Sequence, residues 1–274
     1  LVNRGISASQ AGNQTEAISF YDRALEIDPN YFDAIHNKGL ALIKTKQYES
    51  ALSCLDKTLE VDPYHAEVLF AKGVCLANLG KHQLAISYFE KSLEFNPQEP
   101  STLYTIGCSL LQIDKKSEAL EYFDRAIAVD SGFEDALLQK AIVLSSLDDY
   151  NSSIDTCNKI LQKNPANVGA LYCKAISLSY LGVHDQAISS YDKILEIMPG
   201  HFDALFNKAQ ILRLLGEHEQ ALECFDTAIK INPKHHDSIF GKASCLLQVG
   251  IHSDSLEFFD KALALNPKHV DSIT

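Results

Sequence analysis

Along this chain the apolar residues return at fixed places. In the stretch 66–99, Leu69 and Leu76 stand seven residues apart, and so do Ile86 and Leu93, with polar residues between. That recurrence marks one face of an α-helix. It predicts two helices, over about positions 2–14 and 17–30 of a 34-residue unit whose position 1 is Ala66. Every unit repeats the pattern, with Leu or Ile at position 4 (Ile35, Leu69, Leu171), mostly Leu at 11, and Leu or Ile at 21 and 28. Between the helices Gly12, Gly80, Gly182, Gly216 and Gly250 supply a turn in which positive φ carries no steric cost. The second helix is expected to stop at an Asp-Pro or Asn-Pro step, because the residue before proline is pushed out of the helical region. Asp28, Asp62, Asn96, Asn164, Asn232 and Asn266 fill that place.

The prolines fix the phase. Pro29, Pro63, Pro97, Pro165, Pro199, Pro233 and Pro267 are separated by 34 residues or twice that, and the one gap falls on Ser131. The units are therefore 1–31, 32–65, 66–99, 100–133, 134–167, 168–201, 202–235 and 236–269, with 270–274 opening a ninth. Both termini cut through units, which reads as a fragment of a longer or processed chain. A period of this length belongs to a helical solenoid. Position 8 reads Gly5, Gly39, Gly73, Gly107, Ala141, Ala175, Ala209, Ala243, and position 20 holds only Ala or Ser, so two helices can approach closely. Position 24 is bulky in seven units, from Tyr21 and Leu55 to Phe89, Phe123, Tyr191, Phe225 and Phe259. Unit 5 departs, with Cys157 at position 24 and Ile160 three residues on, an exchange that roughly conserves volume.

Small at 8 and 20, large at 24, small at 27 and proline at 32 resemble the tetratricopeptide repeat, over essentially all of residues 1–274. The tryptophan common at position 4 of that family is Leu or Ile here, which keeps the site apolar. The resemblance implies an all-α fold, a single right-handed superhelical α-solenoid of antiparallel helix pairs. It also implies a ligand groove on the concave wall, lined by positions 2, 5, 9, 12 and 13 of the first helices. Position 5 reads Val2, His36, Phe70, Tyr104, Leu138, Tyr172, Phe206 and Phe240, and position 9 reads Ile6, Leu40, Val74, Cys108, Ile142, Ile176, Gln210 and Ser244. Position 2 carries Asp33, Glu67, Asp135, Asp203, Asp237 and Asp271. The apolar and acidic rows together are the candidate partner-binding residues, and they suit a peptide or helix with apolar anchors and basic or amphipathic character. The same rows have plainer readings: core packing between neighbouring first helices, and acids complementing helix N-termini. Family members that grip a carboxylate tail need Lys at position 5, which no unit has, and the asparagine ladder at position 6 is incomplete, with only Asn3, Asn37 and Asn207.

Charge and chemistry narrow the function. A net charge of −12 disfavours nucleic acid and anionic membrane surfaces as partners. No phosphate loop, metalloprotease signature or nucleophile elbow appears, so no enzyme activity, cofactor or metal is expected. Eight of the ten histidines fall in two columns, His82, His184, His218 and His252 at position 17 and His65, His201, His235 and His269 at position 34, about one unit apart rather than at ligand spacing. The seven cysteines hold no CxxC and read as buried small hydrophobes in a reducing, cytoplasmic setting. Cys54/Cys75 and Cys224/Cys245 share a 21-residue register, but no further ligands recur with them. Lysines at position 7 (Lys38, Lys72, Lys140, Lys174, Lys208, Lys242) are expected to pair with Asp56, Asp124, Asp192 or similar acids. Phe258, Phe259, Leu263 and Leu265 on the last full helix suggest self-association through that end. The function expected is a scaffold for another protein. The alternatives are the targeting arm of an enzyme whose catalytic domain lies elsewhere and a self-assembling structural solenoid.

Overall fold

The computed structural model describes residues 1–266. Pro267, His269, Asp271 and the opening of a ninth unit at 270–274 lie outside the described residues. The fold is all-α, a solenoid of sixteen described helices, two to each unit. They gather into two compact bodies, Leu1–Ala136 and a second that begins at Leu137. The first contains α1 (Val2–Gln10), α2 (Gln14–Ile27), α3 (Phe32–Lys44), α4 (Tyr48–Val61), α5 (Ala66–Asn78), α6 (His82–Phe95), α7 (Pro100–Gln112) and α8 (Lys116–Val129). The boundary falls in the first turn of α9 (Glu134–Ser146), and the second body continues through α10 (Tyr150–Lys163), α11 (Val168–Tyr180), α12 (His184–Ile197), α13 (Phe202–Leu214), α14 (His218–Ile231), α15 (His236–Gln248) and α16 (His252–Leu265). From unit 2 onward the first helix fills positions 1–13, one residue earlier than the spacing predicts, and the second fills 17–30 as expected. Among the described residues no helix is long and apolar enough to cross a membrane.

Each hairpin turns through one left-handed residue at position 15. Gly80 there has φ 74°, and its N–H bonds Ala77 O while the Lys81 N–H reaches back to Leu76 O at 2.9 Å. This pair of bonds closes the helix end by satisfying carbonyls that would otherwise be orphaned. Three units do it without glycine: Lys46, Asp114 and Asp148 hold φ of 59°, 59° and 60°. A left-handed L-residue costs roughly 1–2 kcal/mol, offset in a glycine variant by about 0.5–1 kcal/mol of extra unfolded-chain entropy. Lys46→Gly is therefore expected to stabilise by about 0.5–1 kcal/mol, read as a higher urea midpoint. Asp148→Gly should gain less, because Tyr150 Oη donates to Asp148 Oδ1 at 2.6 Å and the variant loses that bond.

The second helices end by a means the proline series does not reveal. Asp130 precedes Ser131, yet it is as extended (φ −127°, ψ 98°) as Asp28 before Pro29 (φ −135°, ψ 98°). The Asp28, Asp62, Asp130 and Asn232 side chains each accept the N–H two residues on, at 3.1, 3.2, 2.8 and 3.3 Å. Such a side-chain turn competes with the helix for its own backbone, so in these four units the acid or amide helps to break the helix, while at Met198 (φ −134°, ψ 83°) Pro199 does so without one.

The core forms where position 24 meets position 8. Tyr21, Phe89 and Phe123 are fully buried, and a Cβ added to Gly5, Gly73 or Gly107 would come within 2.5 Å of their rings. Unit 2 has the smaller Leu55, and there a Cβ on Gly39 would sit 3.2 Å away. In unit 5 the reduced knob Cys157 and the added Ile160 are both buried, as the volume exchange requires. Position 7 lysines bridge successive units: Lys38 meets Asp22 at 2.5 Å, Lys208 meets Asp192 at 2.5 Å, and Lys72 and Lys242 pair with Asp56 and Asp226. These pairs are partly solvated and contribute modestly to stability.

Candidate functional site

Position 5 lies on the first helix, and in units 4, 6 and 7 its side chain meets both the core knob of its own unit and the ring at position 34. Phe70 packs on Phe89 with centroids 5.4 Å apart, and Tyr104 lies between Phe123 (5.9 Å) and Phe133 (5.3 Å). In the second body Tyr172 lies between Tyr191 (6.2 Å) and His201 (5.6 Å), and Phe206 between Phe225 (6.4 Å) and His235 (4.9 Å). His36 faces His65 at 5.2 Å, and Phe240 meets Phe259 at 5.4 Å. Leu138 lies against Gly169, whose Cβ, if present, would come within 2.9 Å. All seven are half-buried. Burial lowers the His36 pKa and raises the Tyr104 and Tyr172 phenols above the usual tyrosine value. The row is thus a rank of clamped side chains with one face each toward solvent.

Two grooves run beside this row, one inside each body. In the second body a groove of about 590 Å³ is lined by Leu138, Ile142, Ser145, Ser146, Asp148, Tyr150, Gly169, Tyr172, Cys173, Ile176 and Tyr180. All but Asp148, Tyr150 and Cys173 stand at positions 2, 5, 9, 12 or 13. Ile142 is 45% exposed and Tyr180 70% exposed, a large apolar offering to solvent. Tyr150 and Tyr180 stack at 5.1 Å with planes 8° apart and form one rim of the groove. Tyr150 escapes a reading by columns because it sits among the position 17 histidines. In the first body a groove of about 490 Å³ collects Ile6, Leu40, Glu67, Phe70 and Val74 with Asn37, Lys44 and their neighbours.

The acids Asp33, Glu67, Asp135, Asp203 and Asp237 are exposed and lie in the first turns of α3, α5, α9, α13 and α15. Helix N-termini favour negative charge there, and of the five only Glu67 lines a described groove. Two of the position 34 histidines are side-chain caps: His201 Nδ1 accepts the Ala204 N–H at 3.2 Å and His235 Nδ1 the Ser238 N–H at 3.2 Å, whereas His65 makes no such bond. Asn167 fills the same role with an Oδ1 that accepts the Ala170 N–H at 2.9 Å. Among the described residues no group of three His, Cys, Asp or Glu is placed to hold a metal ion. On the last described helix Leu256, Leu263 and Leu265 are exposed, while Phe258 and Phe259 are half-buried.

Comparison with known proteins agrees with this phase. The tetratricopeptide repeat family model matches residues 202–235, the seventh unit from end to end. The model for anaphase-promoting complex, cyclosome, subunit 3 matches 10–92 and again 44–126, the second match displaced by one unit at both ends. No curated protein matches the chain by sequence. Among solved structures, YrrB, described as a TPR protein with an unusual peptide-binding site, is 23% identical with a TM-score of 0.59, over 69% of this chain and 97% of its own. The C-terminal part of a TPR repeat-containing protein from Cytophaga hutchinsonii is 18% identical with a TM-score of 0.71, over 86% of this chain and 98% of its own. MamA is 22% identical with a TM-score of 0.57, over 60% of this chain and 90% of its own. The solved structures share the fold, and the family-model matches, taken with eight units in one phase and each folded as a helical hairpin, make the chain a tetratricopeptide repeat protein.

Proposed function

We propose that this protein is an interaction scaffold without catalysis of its own, and that the groove between Leu138 and Tyr180 takes a segment of a partner protein. The observation that carries this reading is the groove itself: an open, mainly apolar trough of about 590 Å³ whose lining comes chiefly from the first helices. Ile142 and Tyr180 stand largely exposed on the groove wall, Tyr180 with Tyr150 stacked on one face, and exposed apolar side chains of that kind anchor partners. The chain's net charge of −12 and Asp148 at the groove edge favour a basic, amphipathic segment with Leu or Phe anchors. YrrB, described as having a peptide-binding site, supplies a precedent within the same fold.

The test uses a dye-labelled amphipathic peptide carrying two leucines and a phenylalanine among lysines, and a counterpart with glutamates in place of the lysines. Fluorescence anisotropy should register binding of the basic peptide only. Ile142→Asp and Tyr180→Ala should each weaken it about tenfold, equivalent to about 1.4 kcal/mol, with an unchanged thermal melt. Exposed positions are chosen because Phe70, Tyr104 and Tyr172 also pack on core rings, so truncating them would mix stability with affinity. Equal binding of both peptides, or binding indifferent to both variants, would sink the proposal.

A further inference from the structure

The departure in unit 5 leaves a question that the groove reading does not absorb: why the one non-bulky residue at position 24 is a cysteine. Cys157 on α10 is fully buried. Sixteen residues on, Cys173 on α11 is 7% exposed and forms part of the groove wall. Positions 24 and 6 of successive units face one another, as Phe225 and Gly241 show, where a Cβ on the glycine would meet the ring at 2.4 Å. The neighbouring rung uses the same sixteen-residue step, with Lys174 Nζ donating to Asn158 Oδ1 at 2.7 Å. At this place Cys173 Sγ lies 3.5 Å from Ser153 Oγ, one helical turn before Cys157 on α10, and each thiol is the main influence on the other's titration.

The surroundings suit a reactive sulfur. Ser153 Oγ lies 3.5 Å from Cys173 Sγ and 2.9 Å from Ala141 O, so its single proton has two acceptors within reach. Ser177 donates toward Ser153 at 3.1 Å and toward Ser145 at 3.3 Å, which continues a polar seam through an otherwise apolar core. A thiolate at Cys173 would draw the Cys157 thiol first and the Ser153 hydroxyl second as donors, and these outweigh burial to hold the Cys173 pKa below the usual thiol value. By contrast, burial pushes up the thiols of Cys54, Cys75, Cys224 and Cys245, the two 21-residue pairs.

We propose that Cys157 and Cys173 form a redox-reactive dithiol, oxidised by a hydroperoxide to a disulfide that joins α10 to α11, with Cys173 as the attacking sulfur and Cys157 as the resolving one. Cys173 thiolate attacks the terminal oxygen of the peroxide, the O–O bond breaks, and the leaving oxygen takes a proton to depart as water or alcohol. Cys173 is then a sulfenic acid. The Cys157 sulfur attacks it, the S–S bond forms, the S–O bond breaks, and the Cys157 proton leaves with the hydroxide as a second water. Sulfur is oxidised by two electrons and the peroxide is reduced by two. The inference does not depend on the groove reading, since its test needs no partner.

The folded full chain is treated with hydrogen peroxide, blocked with N-ethylmaleimide and mapped by mass spectrometry without reduction. Two of the seven thiols should be lost, in a single Cys157–Cys173 linkage. Cys157→Ser should stop at a sulfenic acid on Cys173 that dimedone captures, whereas Cys173→Ser should leave Cys157 reduced. Cys157→Ala serves as a second block on resolution and should behave as Cys157→Ser does. Peroxide consumption that labels Cys54 or Cys108 ahead of Cys173, or a wild-type map without the Cys157–Cys173 linkage, would overturn the proposal.

Discussion

Phe89→Ala is expected to lower stability by about 3–5 kcal/mol, the range for removing a fully buried ring whose site cannot collapse. Phe89 is the knob of unit 3, sealed between α5 and α6, and its ring edge lies where a Cβ on Gly73 would stand at 2.5 Å. The reciprocal change, Gly73→Ala, should cost about 1–3 kcal/mol by overpacking, less the helix propensity that alanine gains. Gly73→Ala combined with Phe89→Leu should regain most of the overpacking loss, because unit 2 already pairs leucine with a gap of 3.2 Å at Gly39. Hydrogen exchange of the α5 and α6 amides, with urea unfolding, measures all three. A neutral Gly73→Ala would mean that the ring has an alternative seat and that the close approach does not constrain the hairpin.

Gly241→Val carries the second large effect. Units 6 to 8 have alanine rather than glycine at position 8, so their knobs need room elsewhere. Phe225 finds it on the next unit: a Cβ at Gly241 would meet its Cζ at 2.4 Å, Cε1 at 2.7 Å and Cε2 at 3.0 Å. A branched side chain at Gly241 must push that ring back toward Ala209, which is itself fully buried. The expected cost is about 1–3 kcal/mol or somewhat more, seen as a lower thermal midpoint and faster exchange in α14 and α15. Phe225→Leu in the same chain should recover part of it. If Gly241→Val melts with the parent, the ring's dependence on that glycine is wrong.

The helical hairpins were legible because their signal is redundant: eight copies place Leu69, Gly80 and Pro97 equivalents in one register, and any one column predicts the others. What stayed hidden depends on contacts that cross from one unit to the next. A sixteen-residue step from position 24 to position 6 leaves no trace in a column read by itself. Cys157 and Cys173 therefore passed as unrelated, while the 21-residue pairs Cys54/Cys75 and Cys224/Cys245 drew attention merely by sharing a register. Position 5 shows a milder version of the same problem. Its residue types mark it as a groove row, but its clamp depends on which ring stands at position 34, as His201 does for Tyr172 and Phe133 for Tyr104. The helix-ending role of Asp130 was masked by proline, which stands beside the other acids and amides and takes the credit for the break.

The turn at position 15 has a practical consequence for anyone cutting or decorating this chain. Lys81 closes α5 with its N–H and, one residue later, α6 begins, so a single amide serves as the last stitch of one rod and the doorway of the next. No slack is stored there, and a tag or fluorescent insert spliced at that point would unpick two rods at once. The Asp28–Pro29, Asp62–Pro63 and Asn232–Pro233 links, where one side chain closes its own small loop, are the seams at which foreign sequence can be let in.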